Sequence, residues 1–390
     1  MRKLLDRWFF SSVSRRDWLR ASIASVAGLA GAGSLSASVS ESPPQEENEA
    51  YDSAPAGPSR MHGQMRTVGS VDPARNGFDP MAMLTDFDYG ETSTMDDGQT
   101  LREYRVVATD KEIEIAPGMT FPAWTYDNRV PGPTFRCVEG DRIRIEFVNA
   151  GSHPHTIHFH GIHSAKMDGV PNIGDGMIDP GDRTVYEFDA EPFGCHLYHC
   201  HSTPLKRHIH KGLYGAFIID PDPANYEGEK REAAKARNHQ YPECGEVSEM
   251  VMVMNGFDTN FDGDNEIYAA NTVAFEFANR PIPVKPDQLQ RVYLVNATEF
   301  DPINSFHLHA NFFDYYDHGT SLVPDRETID TVMQCQAQRG ILEFSFEDFE
   351  PGQYMFHAHQ SEFAELGWMG FFDVREDAPP LEEMGADLPA

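Results

Sequence analysis

The amino-acid sequence predicts an all-β protein built from two β-sandwich domains in tandem. Two observations carry that prediction. The first is alternation: Arg142-Ile-Arg-Ile-Glu-Phe-Val-Asn149 sets apolar against polar residues directly after the turn residues Gly140-Asp141. A period of two marks a strand with one buried face, and short strands between frequent turns are the texture of a sandwich. The second is internal repetition. The run Arg142–Asn149 is echoed by Arg291–Asn296, Tyr186-Glu-Phe188 by Leu342-Glu-Phe344, and Pro192-Phe-Gly194 by Glu350-Pro-Gly352. His199-Cys-His201 is echoed by His357-Ala-His359, and Gly212-Leu-Tyr-Gly215 by Gly367-Trp-Met-Gly370. Landmarks that recur in the same order mark a duplicated domain. Composition agrees: 390 residues at 40% hydrophobic content are enough for two cores, and 11% aromatics with 31 Gly and 27 Pro suit β-rich domains.

In chain order, residues 1–40 read as an export signal of the twin-arginine type. Ser14-Arg15-Arg16-Asp17-Trp18-Leu19 precedes a mildly apolar stretch, Ala21 to Ala32, with small residues near Ala37. That stretch is too short and too rich in Gly and Ser to span a membrane, and no other segment is a better candidate. The expected location is periplasmic or extracellular. Residues 41–100 are polar, acidic and rich in Pro, Ser and Gly, and read as a flexible extension that Phe87-Asp-Tyr-Gly90 anchors near its end. The first sandwich spans 101–222, with Arg105–Ala108 and Glu112–Ile115 as two short strands, Val130-Pro-Gly-Pro133 as a turn, and Phe135–Val138 as a strand. A charged linker, 223–245, includes a short helical segment from Glu229 to Arg237. The second sandwich spans 246–376, and 377–390 is an acidic tail.

The net charge of −31 excludes nucleic acid as a partner, because phosphate binding needs Lys and Arg. Five cysteines are present; if Cys200 binds metal, Cys137, Cys195, Cys244 and Cys335 can form two disulfides or stay free.

The chemistry lies in the histidines. Four His-x-His pairs occur, two per repeat: His158/His160, His199/His201, His307/His309 and His357/His359. Each pair places two imidazoles on one face of a strand, and neutral imidazole suits copper, zinc and iron. Eight imidazoles are too many for one mononuclear site and suit a cluster of three metal ions. Cys200 stands between His199 and His201, so its thiol faces the other way. His155 has the opposite parity to His158 and shares that other face. His155, Cys200 and His208 form a candidate mononuclear site of two imidazoles and one thiolate, the trigonal blue-copper donor set. Leu213 occupies the axial position and cannot coordinate. The spacing leaves His210 as an alternative to His208. In the second repeat Asn304, Ala358, Phe363 and Trp368 replace His155, Cys200, His208 and Leu213, so only the first repeat carries this site.

From about Leu101 to Val374 these motifs resemble the two-domain multicopper oxidases, laccase-like, with the type 1 copper in the first of two cupredoxin domains. The resemblance implies Greek-key cupredoxin folds, about four coppers per chain and a homotrimer whose trinuclear cluster lies between subunits. It implies His158 and His307 as type 2 ligands, and His160, His199, His201, His309, His357 and His359 as type 3 ligands. Asp168 and Glu362 match acids beside that cluster, Glu362 as a proton donor. The gap before the type 1 histidine, Ser202 to Arg207, is six residues, longer than the family's three. The activity expected is one-electron oxidation of a phenol or metal ion, with electrons admitted at the edge of His208 if that edge is exposed, coupled to four-electron reduction of dioxygen to water. Two alternatives are a copper-containing nitrite reductase, which needs only one three-histidine site, and a non-catalytic blue copper carrier, in which the second repeat's pairs would be idle.

Overall fold

The computed structural model describes residues 69–385. The twin-arginine motif and the rest of 1–68 lie outside them, as does 386–390. Among the described residues no helix is long and apolar enough to cross a membrane.

The chain is all-β and each repeat is a pair of facing sheets. In the first repeat one sheet runs Phe87–Asp88, Thr134–Val138, Tyr214–Asp220, Gly194–His199 and His158–Phe159. The other runs Glu91–Thr94, Thr100–Ala116, Arg142–Asn149 and Arg183–Asp189, with Met119–Tyr126 folded onto Thr100–Ala116. The alternating run is a strand over Arg142–Asn149, with Ile143, Ile145 and Phe147 turned inward. Its equivalent Gln290–Asn296 pairs with Arg339–Phe344 just as Arg142–Asn149 pairs with Arg183–Asp189. The duplication extends to the strands that carry histidines: His158 sits opposite His199, and His307 opposite His357.

Two expectations change. Arg105–Ala108 and Glu112–Ile115 are not separate strands but parts of one, Thr100–Ala116. It pairs with Arg142–Asn149 through its first half and with Met119–Tyr126 through its second, so its exposed charged residues lie within a continuous ladder. The later part of the 41–100 extension is not flexible. Phe78, Met81, Met83 and Leu84 are buried, and Asp79 pairs with Arg280 at 2.8 Å. A segment that buries four large apolar side chains offsets its ordering entropy, which composition alone did not show. The first part of the acidic tail also packs, through Ala378 and Leu381. The linker holds the helix Gly228–Ala236, and all five cysteines are free thiols.

The repeats are joined by an apolar cluster that includes Leu197 and Ile218 from the first and Val251, Tyr293 and Ile341 from the second. Beside it lies a buried ion network. Arg136 is 1% exposed and bonds Asp220 at 3.0 Å and Glu249 at 2.6 Å; Arg291 bonds Glu249 at 2.9 Å and Glu343 at 2.8 Å. Burial alone would raise the Glu249 carboxyl, but the guanidiniums of Arg136 and Arg291 hold it down at about 2. Removing one partner strands a buried charge. Arg136→Met is therefore expected to destabilise the chain by about 3–5 kcal/mol, read by urea unfolding at neutral pH. The same junction should weaken in acid. A carboxyl with a depressed folded pKa stabilises above its unfolded value near 4.5 and loses that contribution as pH falls toward about 2.

Candidate metal centres

The strand Gly194–His199 ends where the chain needs both of its faces. His199 and Cys200 are consecutive and turn to opposite sides, each into a different donor set. On the core side the Cys200 Sγ lies 3.3 Å from His208 Nδ1, and His155 Nδ1 lies 3.2 Å from His208 Nδ1. The three donors converge and all three residues are buried. Of the two candidates the sequence left open, it is His208 that lies beside Cys200 and His155. His208 and His210 lie on the helix Leu205–His210, where two positions differ by about 200° around the axis, so they point apart. The Nε2 of His210 accepts the N–H of Asp258 at 2.9 Å instead.

Burial holds the imidazoles of His155 near 3 and His208 near 4, so both are neutral with lone pairs free. The Nε2 of His155 is buried with no hydrogen-bond partner. Burial also pushes the Cys200 thiol up, a cost that a bound cation reverses. Thr156 donates its backbone N–H to the sulfur at 3.4 Å. Leu213 is fully buried beside this site and offers no donor atom. Two imidazoles and a thiol without a fourth ligand suit trigonal copper and fall short of tetrahedral zinc. Leu213→Met would supply an axial thioether; a lowered reduction potential and a changed blue spectrum are the expected result, read by redox titration.

The opposite face carries the first histidine cluster. His158, His160 and His199 converge, with His160 Nε2 2.9 Å from His199 Nε2. The His199 Nδ1–H donates to the carbonyl of Cys200 at 2.9 Å, and His158 Nδ1–H to the carbonyl of Asp168 at 2.8 Å. Those bonds fix the tautomers and leave the Nε2 lone pairs aimed inward. Burial lowers His160 to about 2 and His199 to about 4. His201 stands beside them, its ring 5.3 Å from that of His158.

The second repeat builds the same half again. His309 Nε2 lies 2.9 Å from His357 Nε2, His357 Nδ1–H donates to the Ala358 carbonyl, and His307 Nδ1–H to the Asp330 carbonyl at 2.9 Å. The His359 ring lies 5.2 Å from that of His307. The hydrogen bond from His201 N to Thr156 Oγ1 recurs as His359 N to Ser305 Oγ. The loop behind recurs too. Cys200 N donates to Leu213 O and Ala358 N to Trp368 O, and the preceding glycines, Gly212 and Gly367, both have positive φ. In place of the mononuclear site the second repeat packs Ala358, Phe363 and Trp368, all buried, while Asn304 bonds Thr298.

Among the described residues the two halves do not meet. His158, His160 and His199 form one group and His307, His309 and His357 another, and every imidazole ring contact within these sets stays inside one repeat. Asp168 lies at the first half, its carboxylate 3.0 Å from His158 Nδ1 and 3.5 Å from His163 Nε2. His163 joins His158 and Asp168 as a close triad. Glu362 is exposed on the helix Ser361–Glu365, next to the second half but not among its converging donors.

The condition for electron entry at the His208 edge is not met. The edge of His208 is not open: the residue is 2% exposed, and Trp124 covers it with ring centroids 4.7 Å apart. Trp124 lies 76 positions before Cys200, and no local pattern could have flagged it.

Comparison with known proteins identifies the family. Models of the multicopper oxidases match residues 107–224 and 246–378. The chain belongs to the multicopper oxidase family. The oxidase is an oxidoreductase with cupredoxin folds, and its metal is copper. It superimposes on a crystal structure of a multicopper oxidase with a TM-score of 0.71 and 54% identity, covering 78% of this chain and 100% of that one. The copper-containing nitrite reductase of Neisseria gonorrhoeae is 24% identical over 272 residues, 65% of this chain and 63% of that protein. The oxidase thus spans just under two thirds of that relative's length. Copper resistance protein A of Escherichia coli is 40% identical over 111 residues, 27% of this chain and 18% of that protein.

Proposed function

We propose that the oxidase is laccase-like: it couples one-electron oxidation of a reducing substrate to four-electron reduction of dioxygen to water, as a homotrimer. The observation that carries this reading is the pair of histidine half-sites, built alike and left apart within one chain. His155, Cys200 and His208 would hold one copper. His158, His160, His199 and His201 of one subunit, with His307, His309, His357 and His359 of the next, would hold three more. Bound copper supplies the one-electron redox chemistry and the affinity for dioxygen.

The residues supply connection, orientation and protons. Cys200 is one peptide from His199 and one from His201, the shortest bonded link between the two donor sets. The carbonyls of Cys200, Asp168, Ala358 and Asp330 hold the imidazole tautomers. Asp168 is placed to move protons at His158, and Glu362 becomes a second acid when a neighbouring subunit completes the half-site beside it. The exposed Ile303 and Met333 flank the second half-site's strand and suit burial against that neighbour. Export by the twin-arginine route belongs to the same proposal and is tested by locating the processed chain after Arg15→Lys/Arg16→Lys.

A nitrite reductase would need three histidines at its second centre, and two complete four-histidine half-sites exceed that need. Metal analysis with oxygen uptake decides. About four coppers per chain with dioxygen consumed is the expected result; two coppers in an active sample, or turnover of nitrite in place of dioxygen, refutes it.

A further inference from the structure

The covered His208 raises the question of how electrons reach it. Three aromatic contacts give an answer. The indole of Trp124 packs on His208 at 4.7 Å, on His155 at 5.2 Å and on His153 at 4.5 Å. His208 and His155 are buried, Trp124 is 4% exposed, and His153 is exposed. One indole therefore separates the surface from both imidazoles of the mononuclear site.

Two cations lie against this indole, the exposed Arg207 and the buried Lys211, although the chain's net charge is −31. The Arg207 guanidinium lies 5.4 Å from the Trp124 ring centre and the Lys211 ammonium 5.2 Å from it. Lys211 also lies over Phe121 and Phe261, and Arg207 is exposed. Asp110 also acts on this face: its carboxylate accepts the Ser152 N–H at 2.8 Å and is felt by both Lys211 and His155. Asp258 and Asp262 lie across the helix, on the cavity that Arg207 shares with Phe261 and Phe300. The charges against the indole itself are thus two cations and one engaged acid. Such a face attracts anions and aromatic rings and repels metal cations.

We propose that Trp124 is the electron gateway of the oxidase, and that the His153–Arg207 face above it selects organic, neutral or anionic donors over metal ions. This rests on the laccase-like reading and narrows its substrate class. Each event takes one electron from the donor, which leaves as its one-electron-oxidised form; the indole bridges the transfer and is itself neither oxidised nor protonated in the net step. The final oxidant is the dioxygen of the proposed reaction.

The test uses two outer-sphere donors of opposite charge, hexacyanoferrate(II) and hexaammineruthenium(II). Bleaching of the blue band of the copper-loaded trimer is followed without oxygen. Trp124→Leu is expected to slow bleaching severalfold with both donors at an unmoved band position, and Trp124→Phe to restore most of the rate. Arg207→Glu, at an exposed site, is expected to shift the ratio of the two rates about tenfold toward the ruthenium cation. A metal-free readout accompanies these. In protein labelled with 5-fluorotryptophan, the Trp124 fluorine signal, assigned by its loss in Trp124→Phe, should shift with hexacyanocobaltate(III) and stop shifting in Arg207→Glu. Wild-type bleaching in Trp124→Leu, an unchanged ratio in Arg207→Glu, or no fluorine shift overturns the proposal. None of these measurements involves dioxygen, so a protein that fails to consume oxygen would refute the laccase-like reading separately.

Discussion

Cys200→Ser is expected to remove the blue colour and reduce oxidase turnover by at least about 100-fold, while the fold and the trimer persist. The magnitude is a lower bound: loss of a hydrogen-bonding partner behind a ligand costs up to that factor, and here the ligand itself goes. Serine keeps the volume of the buried side chain and can still accept the Thr156 N–H that reaches Cys200 at 3.4 Å. What it lacks is a soft thiolate, the donor that selects copper at this site. The imidazoles of the other centre do not touch the sulfur; His199 is anchored through the Cys200 carbonyl, which serine retains. Copper content should fall by one per chain, and thermal stability should stay near wild type. Absorption spectroscopy, metal analysis and oxygen uptake on one preparation check all three. Wild-type turnover in a colourless protein would show that the thiolate is not on the electron path.

Much of this centre is legible in the sequence, for a physical reason. Strand parity is a strict local rule, so Cys200 facing away from His199 and His201 follows from adjacency alone, and His155 from its odd spacing to His158. Repetition did the rest: loss of His155, Cys200, His208 and Leu213 together in the second repeat is visible by alignment within the chain. Local rules fail where the period changes. His208 and His210 could not be told apart as strand positions because they sit on a helix, where the angular step is different. They fail also where a contact is long-range. Trp124 reaches His208 from the end of Met119–Tyr126, and His163 meets Asp168 through a loop. The packed stretch around Phe78 and Leu84 looked like a flexible arm because composition averages over a few well-placed apolar residues.

Mixing two inactive variants is expected to restore activity. His160→Ala damages the half-site of the first repeat, and His359→Ala that of the second. In the proposed homotrimer, either variant alone would leave every cluster broken. In the proposed closed ring, each cluster would join repeat one of one subunit to repeat two of its neighbour, a heterologous contact. After subunit exchange at equal amounts, one arrangement in four places an intact repeat one, from the His359→Ala chain, against an intact repeat two, from the His160→Ala chain. About a quarter of wild-type oxygen uptake should therefore return. The mononuclear site in that pairing is also whole, because neither substitution touches His155, Cys200 or His208. Copper adds to the assembly itself, since a ligand that binds only the associated state stabilises it by mass action. Chelation should accordingly loosen the trimer, seen as smaller species by light scattering. If the eight imidazoles of a single chain closed on one another, no mixture could regain activity, and a mixed trimer of verified composition that stays inactive would refute the shared cluster.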